Sequence, residues 1–130
     1  MKLVIEFPFK YKIEQFIERG RKGYCYADMW SWDNFFSSLV ARSLKEFKSK
    51  CQSYPSCGIT WEEWMKTLDE MIECFEEQNR GVDNIPTKPT DNPNIIEYDS
   101  EKAEERLIHR KEKLHRGLEL LEKYYYDLWN

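Results

Sequence analysis

Between Thr60 and Phe75 the sequence leaves the backbone little choice. Thr60-Trp61-Glu62-Glu63 is a capping box: the Thr60 hydroxyl accepts from the Glu63 backbone N–H, and the Glu63 carboxylate reaches back to the N–H of Thr60. Trp61, Trp64, Met65, Leu68, Met71 or Ile72, and Phe75 then recur at steps of three and four. That is the apolar stripe of an amphipathic helix, and it must be buried against other elements. Gly81 is well placed to stop the helix.

Two further helices are expected to cover it. Trp32, Phe36, Leu39, Val40, Leu44 and Phe47, with Phe35 alongside, mark a helix that starts near Asp28 or Ser31 and runs to about Lys48. Asp99 or Ser100 caps the last helix, whose Glu101, Glu104 and Glu105 suit its positive end. Leu107, Leu114, Leu118, Leu121, Tyr125 and Leu128 form a heptad-like seam there, suited to packing within one subunit or to a coiled coil between copies. The remaining segments are read more locally. Leu3, Ile5, Phe7 and Phe9 alternate with Val4, Glu6, Pro8 and Lys10, which predicts an edge strand over residues 3–9. Ile13, Phe16 and Ile17 suit a short helical turn before Gly20. Tyr54-Pro55 and Gly58 mark a connector. Pro86, Pro89 and Pro93 punctuate a long loop over 80–98, and Ile95–Tyr98 are expected to pair with residues 3–7 as a two-stranded ribbon. The expected fold is therefore mainly α. One domain, 1–130, packs three principal helices (about 29–48, 61–79 and 100–128) as a small bundle, with a minor N-terminal strand element within a strand and turn segment at 1–27.

Composition restricts the function classes. Hydrophobic residues are 41% and aromatics 15%, which is globular. No run approaches the roughly 18 apolar residues of a membrane span, and the start of the chain lacks the features of a secretory leader. A cytoplasmic protein is expected. The four cysteines, Cys25, Cys51, Cys57 and Cys74, make no C-x-x-C pair, and free thiols are expected unless Cys51 and Cys57 bridge in an oxidising compartment. His109 and His115 lie six apart on a helix and face different ways, so no metal site and no cofactor are expected. The carboxylates of the second helix lie mostly opposite its apolar stripe, where water solvates them. There is no P-loop and no nucleophile elbow, and catalysis is not expected. The net charge of −4 argues against general nucleic-acid binding.

Charge is unevenly spread. Residues 1–26 hold six cations against three carboxylates, 60–80 hold two against seven, and 100–130 balance at seven of each. The basic segment runs into Arg19-Gly20-Arg21-Lys22-Gly23-Tyr24-Cys25-Tyr26-Ala27-Asp28-Met29-Trp30-Ser31-Trp32-Asp33. Arg21 and Lys22 are suited to a phosphate, Gly20 and Gly23 to close backbone approach, and Tyr24, Tyr26 and Trp30 to stacking on a base. The same residues also suit a loop pinned onto its core, with Asp28 as an N-cap and Asp33 bridging to a local cation.

Gly23-Tyr24, Asp28-x-Trp30-Ser31-Trp32-Asp33, Tyr54-Pro55, and Trp64 with Leu68, Met71 and Phe75 form a pattern. It resembles small uncharacterised accessory proteins of tailed bacteriophages and prophages, over roughly residues 20–78. The resemblance implies provenance in a bacterial cytoplasm and carries no mechanism. The expected function is non-catalytic sequestration of a nucleotide-like anion, a host defence signal among the candidates, through Arg21, Lys22, Tyr24, Tyr26 and Trp30. The alternative is a protein–protein inhibitor or adaptor of a host or phage protein, acting through the acidic face of the second helix or the seam of the last. Self-association through that last helix is a further expectation.

Overall fold

The computed structural model describes residues 7–55, 58–80 and 86–129. It is mainly helical, with four helices among the described residues: α1 (Phe7–Lys22), α2 (Trp32–Lys50), α3 (Trp61–Glu77) and α4 (Ser100–Tyr124). Short 3₁₀ turns follow α1, at Tyr26–Met29, and α4, at Tyr125–Asp127. Two two-residue strands, β1 (Thr87–Lys88) and β2 (Glu97–Tyr98), pair antiparallel, Thr87 opposite Tyr98 and Lys88 opposite Glu97. The chain forms two compact units, residues 1–36 and 37–130.

The larger unit is organised around α3. Its capping box is made, with Glu63 N donating to Thr60 Oγ1 at 3.2 Å and Thr60 N to Glu63 Oε2 at 3.3 Å. Trp64, Leu68, Met71 and Phe75 are wholly buried. Leu44 of α2 and Leu120 of α4 join Trp64, Leu68, Met71 and Ile72 in one core, and Val40, Phe47, Ile59, Tyr124 and Leu128 close its margin. Burying a large apolar side chain is worth about 1.5–3 kcal/mol, so this cluster accounts for most of what holds the unit together.

α3 and α4 come into close contact where Gly117 meets Cys74. A Cβ at Gly117 would lie 2.9 Å from Cys74 Cβ and 3.2 Å from Phe75 Cε2. Ion pairs flank the core. Lys45 and Lys48 of α2 pair with Glu76 and Asp69, and Lys113 and Arg116 of α4 pair with Glu73 and Glu70. These α3 carboxylates therefore do not simply face water, as their position opposite the stripe suggested. They meet cations from the helices on either side.

The N-terminal strand is corrected where it is described: Phe7–Phe9 are the opening of a 16-residue helix. Pro8 sits in its first turn, where a missing N–H costs nothing. Phe9, Ile13, Phe16, Ile17 and Gly20 continue at helical spacing. That longer period outweighs a short alternation, and the short turn expected at residues 13–17 is part of the same helix. Residues 1–6, the rest of the expected strand, lie outside the described residues. Among the described residues the small sheet lies within the 80–98 loop, where β2 pairs with β1, and Asp99 N donates to Pro86 O at 2.9 Å beyond the pair. A partner about nine residues away costs far less chain entropy than one some ninety away. Gly81 and Cys57 also lie outside the described residues. Cys51 is a free thiol whose Sγ donates to Ser53 O at 2.9 Å.

The glycines make a paired test. Gly117→Ala should destabilise the protein by about 1–3 kcal/mol, because overpacking at Cys74 outweighs the better helix propensity of alanine. Gly20→Ala, with nothing within 4 Å of its Cβ position, should stabilise α1 by about 0.5–1 kcal/mol. Urea unfolding of the two variants should give opposite signs; the same sign in both would show that contact at Gly117 does not limit the packing.

Candidate functional site

In the smaller unit the turn after α1 is held by one carboxylate. Gly23 closes the helix in the left-handed region (φ +85°), and its N–H donates to Arg19 O at 2.8 Å. The chain then returns so that Arg19 grips Asp28 with two bonds, Nη2 to Oδ1 at 2.8 Å and Nε to Oδ2 at 3.1 Å. Asp28 Oδ2 also accepts from the Cys25 N–H at 2.8 Å. The Arg19 guanidinium, and after it the Cys25 N–H, hold the Asp28 carboxyl well below the usual carboxylate range. Asp28 is therefore the pin of the turn and not the cap of α2, which begins four residues later at Trp32. The Cys25 side chain is wholly buried, so its thiol is not presented to a substrate.

The five candidate residues fall into separate groups. Arg21 and Lys22 belong to the last turn of α1, where cations suit the negative end of a helix. They line a shallow groove of about 420 Å³ with Ile17, Glu14 and Glu18, and Lys22 reaches Glu18 at 3.5 Å. Arg21 has no side-chain partner among the described residues. Tyr26 and Trp30 meet edge to face, with centroids 6.2 Å apart at 83°. Trp30 remains 77% exposed and Tyr24 41%. Among the described residues no hydrogen bond, ion pair or ring contact joins the cations to the aromatics. They share a stretch of sequence without forming one enclosed site.

Exposed apolar side chains dominate this unit. On α1, Phe9, Ile13, Phe16 and Ile17 are all exposed, Phe16 to 77%. Trp32, exposed at 55%, stacks on Phe36 at 5.3 Å and 18°. The seam of the last helix, in contrast, divides. Leu107, Leu118 and Tyr125 are exposed, Leu114 and Leu121 are half-buried, and Leu128 lies on the margin of the core. The residues of α4 that are buried, Gly117 and Leu120, fall outside the heptad positions.

Sequence reasoning passed over a second cationic group, in the larger unit. Arg80, Lys102, Arg106 and Arg110 line a groove of about 550 Å³ together with Glu77, Glu105 and His109. The net balance of residues 100–130 hides it. The signal was in the spacing, since Lys102, Arg106 and Arg110 follow at steps of four along one helix face. Among the described residues no three histidine, cysteine, aspartate or glutamate side chains gather as a metal-binding group. No described helix is long and apolar enough to cross a membrane. Comparison with protein families, with characterised proteins and with solved structures finds no match.

The Asp28 pin has a pH signature. A depressed carboxylate pKa contributes stability above the unfolded value of about 3.9. The contribution fades as pH falls from about 5 toward the lower folded value. Because Arg19 is half exposed, its loss in Asp28→Asn should cost only about 1–2 kcal/mol. Tryptophan fluorescence between pH 6 and 2 is the readout; the wild type should lose turn order on acidification and Asp28→Asn should lack that transition. An unchanged profile in the variant would assign the transition to other groups.

Proposed function

We propose that this chain is a non-catalytic accessory protein that acts by protein contact, with α1 and the Tyr26–Trp30 turn as its contact surface. One observation carries the reading: Phe9, Ile13, Phe16 and Ile17 form the apolar stripe of α1, yet all four are exposed. A stripe of that spacing is what a helix lays into a partner's groove, and apolar side chains exposed together mark interaction surfaces. Lys10, Lys12, Arg19, Arg21 and Lys22 against Glu14 and Glu18 make α1 basic. The complementary partner, a host or phage protein in this reading, presents an apolar groove with an acidic rim. The acidic face of α3 gives less support as a docking surface, because Asp69, Glu70, Glu73 and Glu76 already engage cations within the chain.

Sequestration of a nucleotide-like anion is a second reading, favoured by Arg21, which has no side-chain partner among the described residues, beside Lys22, and by the exposed Trp30. Glu14 and Glu18 in the same groove offset part of that attraction.

The test is capture of a partner from bacterial lysate, followed by binding measured with the purified partner. Phe16→Asp and Trp30→Asp, both at exposed positions that the fold tolerates, should each weaken binding by about tenfold or more. Added salt should weaken wild-type binding as well. Undiminished binding by both variants would remove α1 as the contact surface. A nucleotide that stabilises the protein thermally, with the effect lost in Arg21→Ala, would favour the second reading. A dimer in light scattering that Leu118→Asp dissociates would assign the exposed part of the α4 seam to self-association.

A further inference from the structure

α4 runs on past the end of α3, and cations continue along its first half. Along the helix pair the ladder is regular at first, with Arg116 on Glu70 at 2.8 Å and Lys113 on Glu73 at 3.5 Å. One turn further it breaks. Glu77 turns to Arg80 at 3.2 Å, and Arg110 instead donates from Nη2 to the Gln78 carbonyl at 2.8 Å. Gln78 Nε2 returns a bond to the Arg110 carbonyl at 2.9 Å, so the guanidinium is fixed in place by a reciprocal clasp. Its Nε is enclosed with no acceptor among the described residues. Arg106 and Lys102 follow on the same face at steps of four, where α3 has already ended. The Lys102 ammonium has no partner among the described residues.

We propose that the groove between the end of α3 and the first half of α4 binds a small phosphate-bearing anion with two or more negative charges, of the pyrophosphate or nucleoside-polyphosphate class. Four cations against two carboxylates line it, in a unit whose remaining residues carry ten cations to seventeen carboxylates. Steps of four residues place Lys102, Arg106 and Arg110 about 6 Å apart along the helix. That spacing suits linked phosphates better than a single monovalent ion. Arginine is the side chain whose planar fork fits phosphate oxygens, and the clasp on Gln78 fixes Arg110 before a ligand arrives. The volume of about 550 Å³ accommodates a mononucleotide. The site is separate from the α1 surface and stands or falls independently of it.

Calorimetric titration of the full chain at low salt tests this, with sodium pyrophosphate, ATP and adenosine as probes. Pyrophosphate and ATP should bind and adenosine should not, and binding should weaken as salt is raised. The double variant Lys102→Ala/Arg106→Ala alters exposed side chains only, and should lose about tenfold or more in affinity with an unchanged circular dichroism spectrum. Arg21→Ala should bind as the wild type does. The proposal is overturned if neither phosphate compound binds, if the double variant keeps full affinity, or if Arg21→Ala is the variant that loses it. Equal affinity for adenosine and ATP would likewise overturn it, since the base and not the phosphates would then be recognised.

Discussion

Everything in the larger unit depends on how near α4 can come to α3. The approach is set at one point, where the absence of a side chain at Gly117 lets the helix settle against Cys74 and the ring of Phe75. Glycine is a poor helix residue, costing roughly 1 kcal/mol relative to alanine. Here that cost is offset by contact along the two helices, which brings Leu120 into the core and Tyr124 edge to face with Trp64, centroids 5.3 Å apart. Cys74 fits the same economy of volume. It is a small, buried side chain at the crossing, and burial pushes its thiol pKa up, so it packs as an apolar group and not as a nucleophile. Trp64 is wholly buried with an indole N–H that has no acceptor among the described residues. An unpaired donor costs about 1–3 kcal/mol, which the burial of so large a ring offsets.

Electrostatics follow from that geometry. Once α4 and α2 lie along α3, its outward carboxylates come within reach of their lysines and arginines, and a face that looks strongly acidic in sequence becomes a set of interhelical bridges. Most of these side chains are substantially exposed, so each bridge adds little stability. Beyond the end of α3, α4 continues, and four cations against two carboxylates line a groove at that end. The groove results from a mismatch in helix length.

The parts legible in sequence were those fixed by neighbours. The capping box at Thr60 and the stripe from Trp64 to Phe75 involve residues three or four apart, and both are present. The expected strand is wrong at Phe7–Phe9, where alternation was weighed without the helical spacing that runs from Phe9 through Gly20. The partner of Glu97–Tyr98 was not legible for a different reason: pattern identifies a strand but not its partner, and Thr87–Lys88 lies close by in the chain. At the candidate site, the choice between ligand contact and structural pin for the basic segment was open in sequence. The structure gives Arg19 and Asp28 to the pin and leaves Arg21 without a partner among the described residues. Nothing in the spacing of three cations within four residues distinguishes the one that folds back from the one that does not. That distinction depends on the left-handed turn at Gly23, which decides where the chain returns.

The two units differ in whether any large aromatic is wholly buried. In residues 37–130, Trp64 and Phe75 are wholly buried, while Tyr125, Tyr126 and Trp129 remain exposed. In residues 1–36, Phe9, Phe16, Tyr26, Trp30 and Trp32 are all more than half exposed. A turn pinned by a two-bond ion pair and a helix closed by a left-handed glycine show that this exposure is not a failure of local order. The segment spends specific interactions on holding a fixed shape while presenting apolar surface that water disfavours. In the proposed protein-contact reading such a surface is arranged before binding, so little further entropy would be lost in a complex. A sequence selected for the stability of the monomer alone would place lysine or glutamate at Phe16 and Trp30. Phenylalanine and tryptophan at those positions are the chemical support for the proposed protein-contact reading.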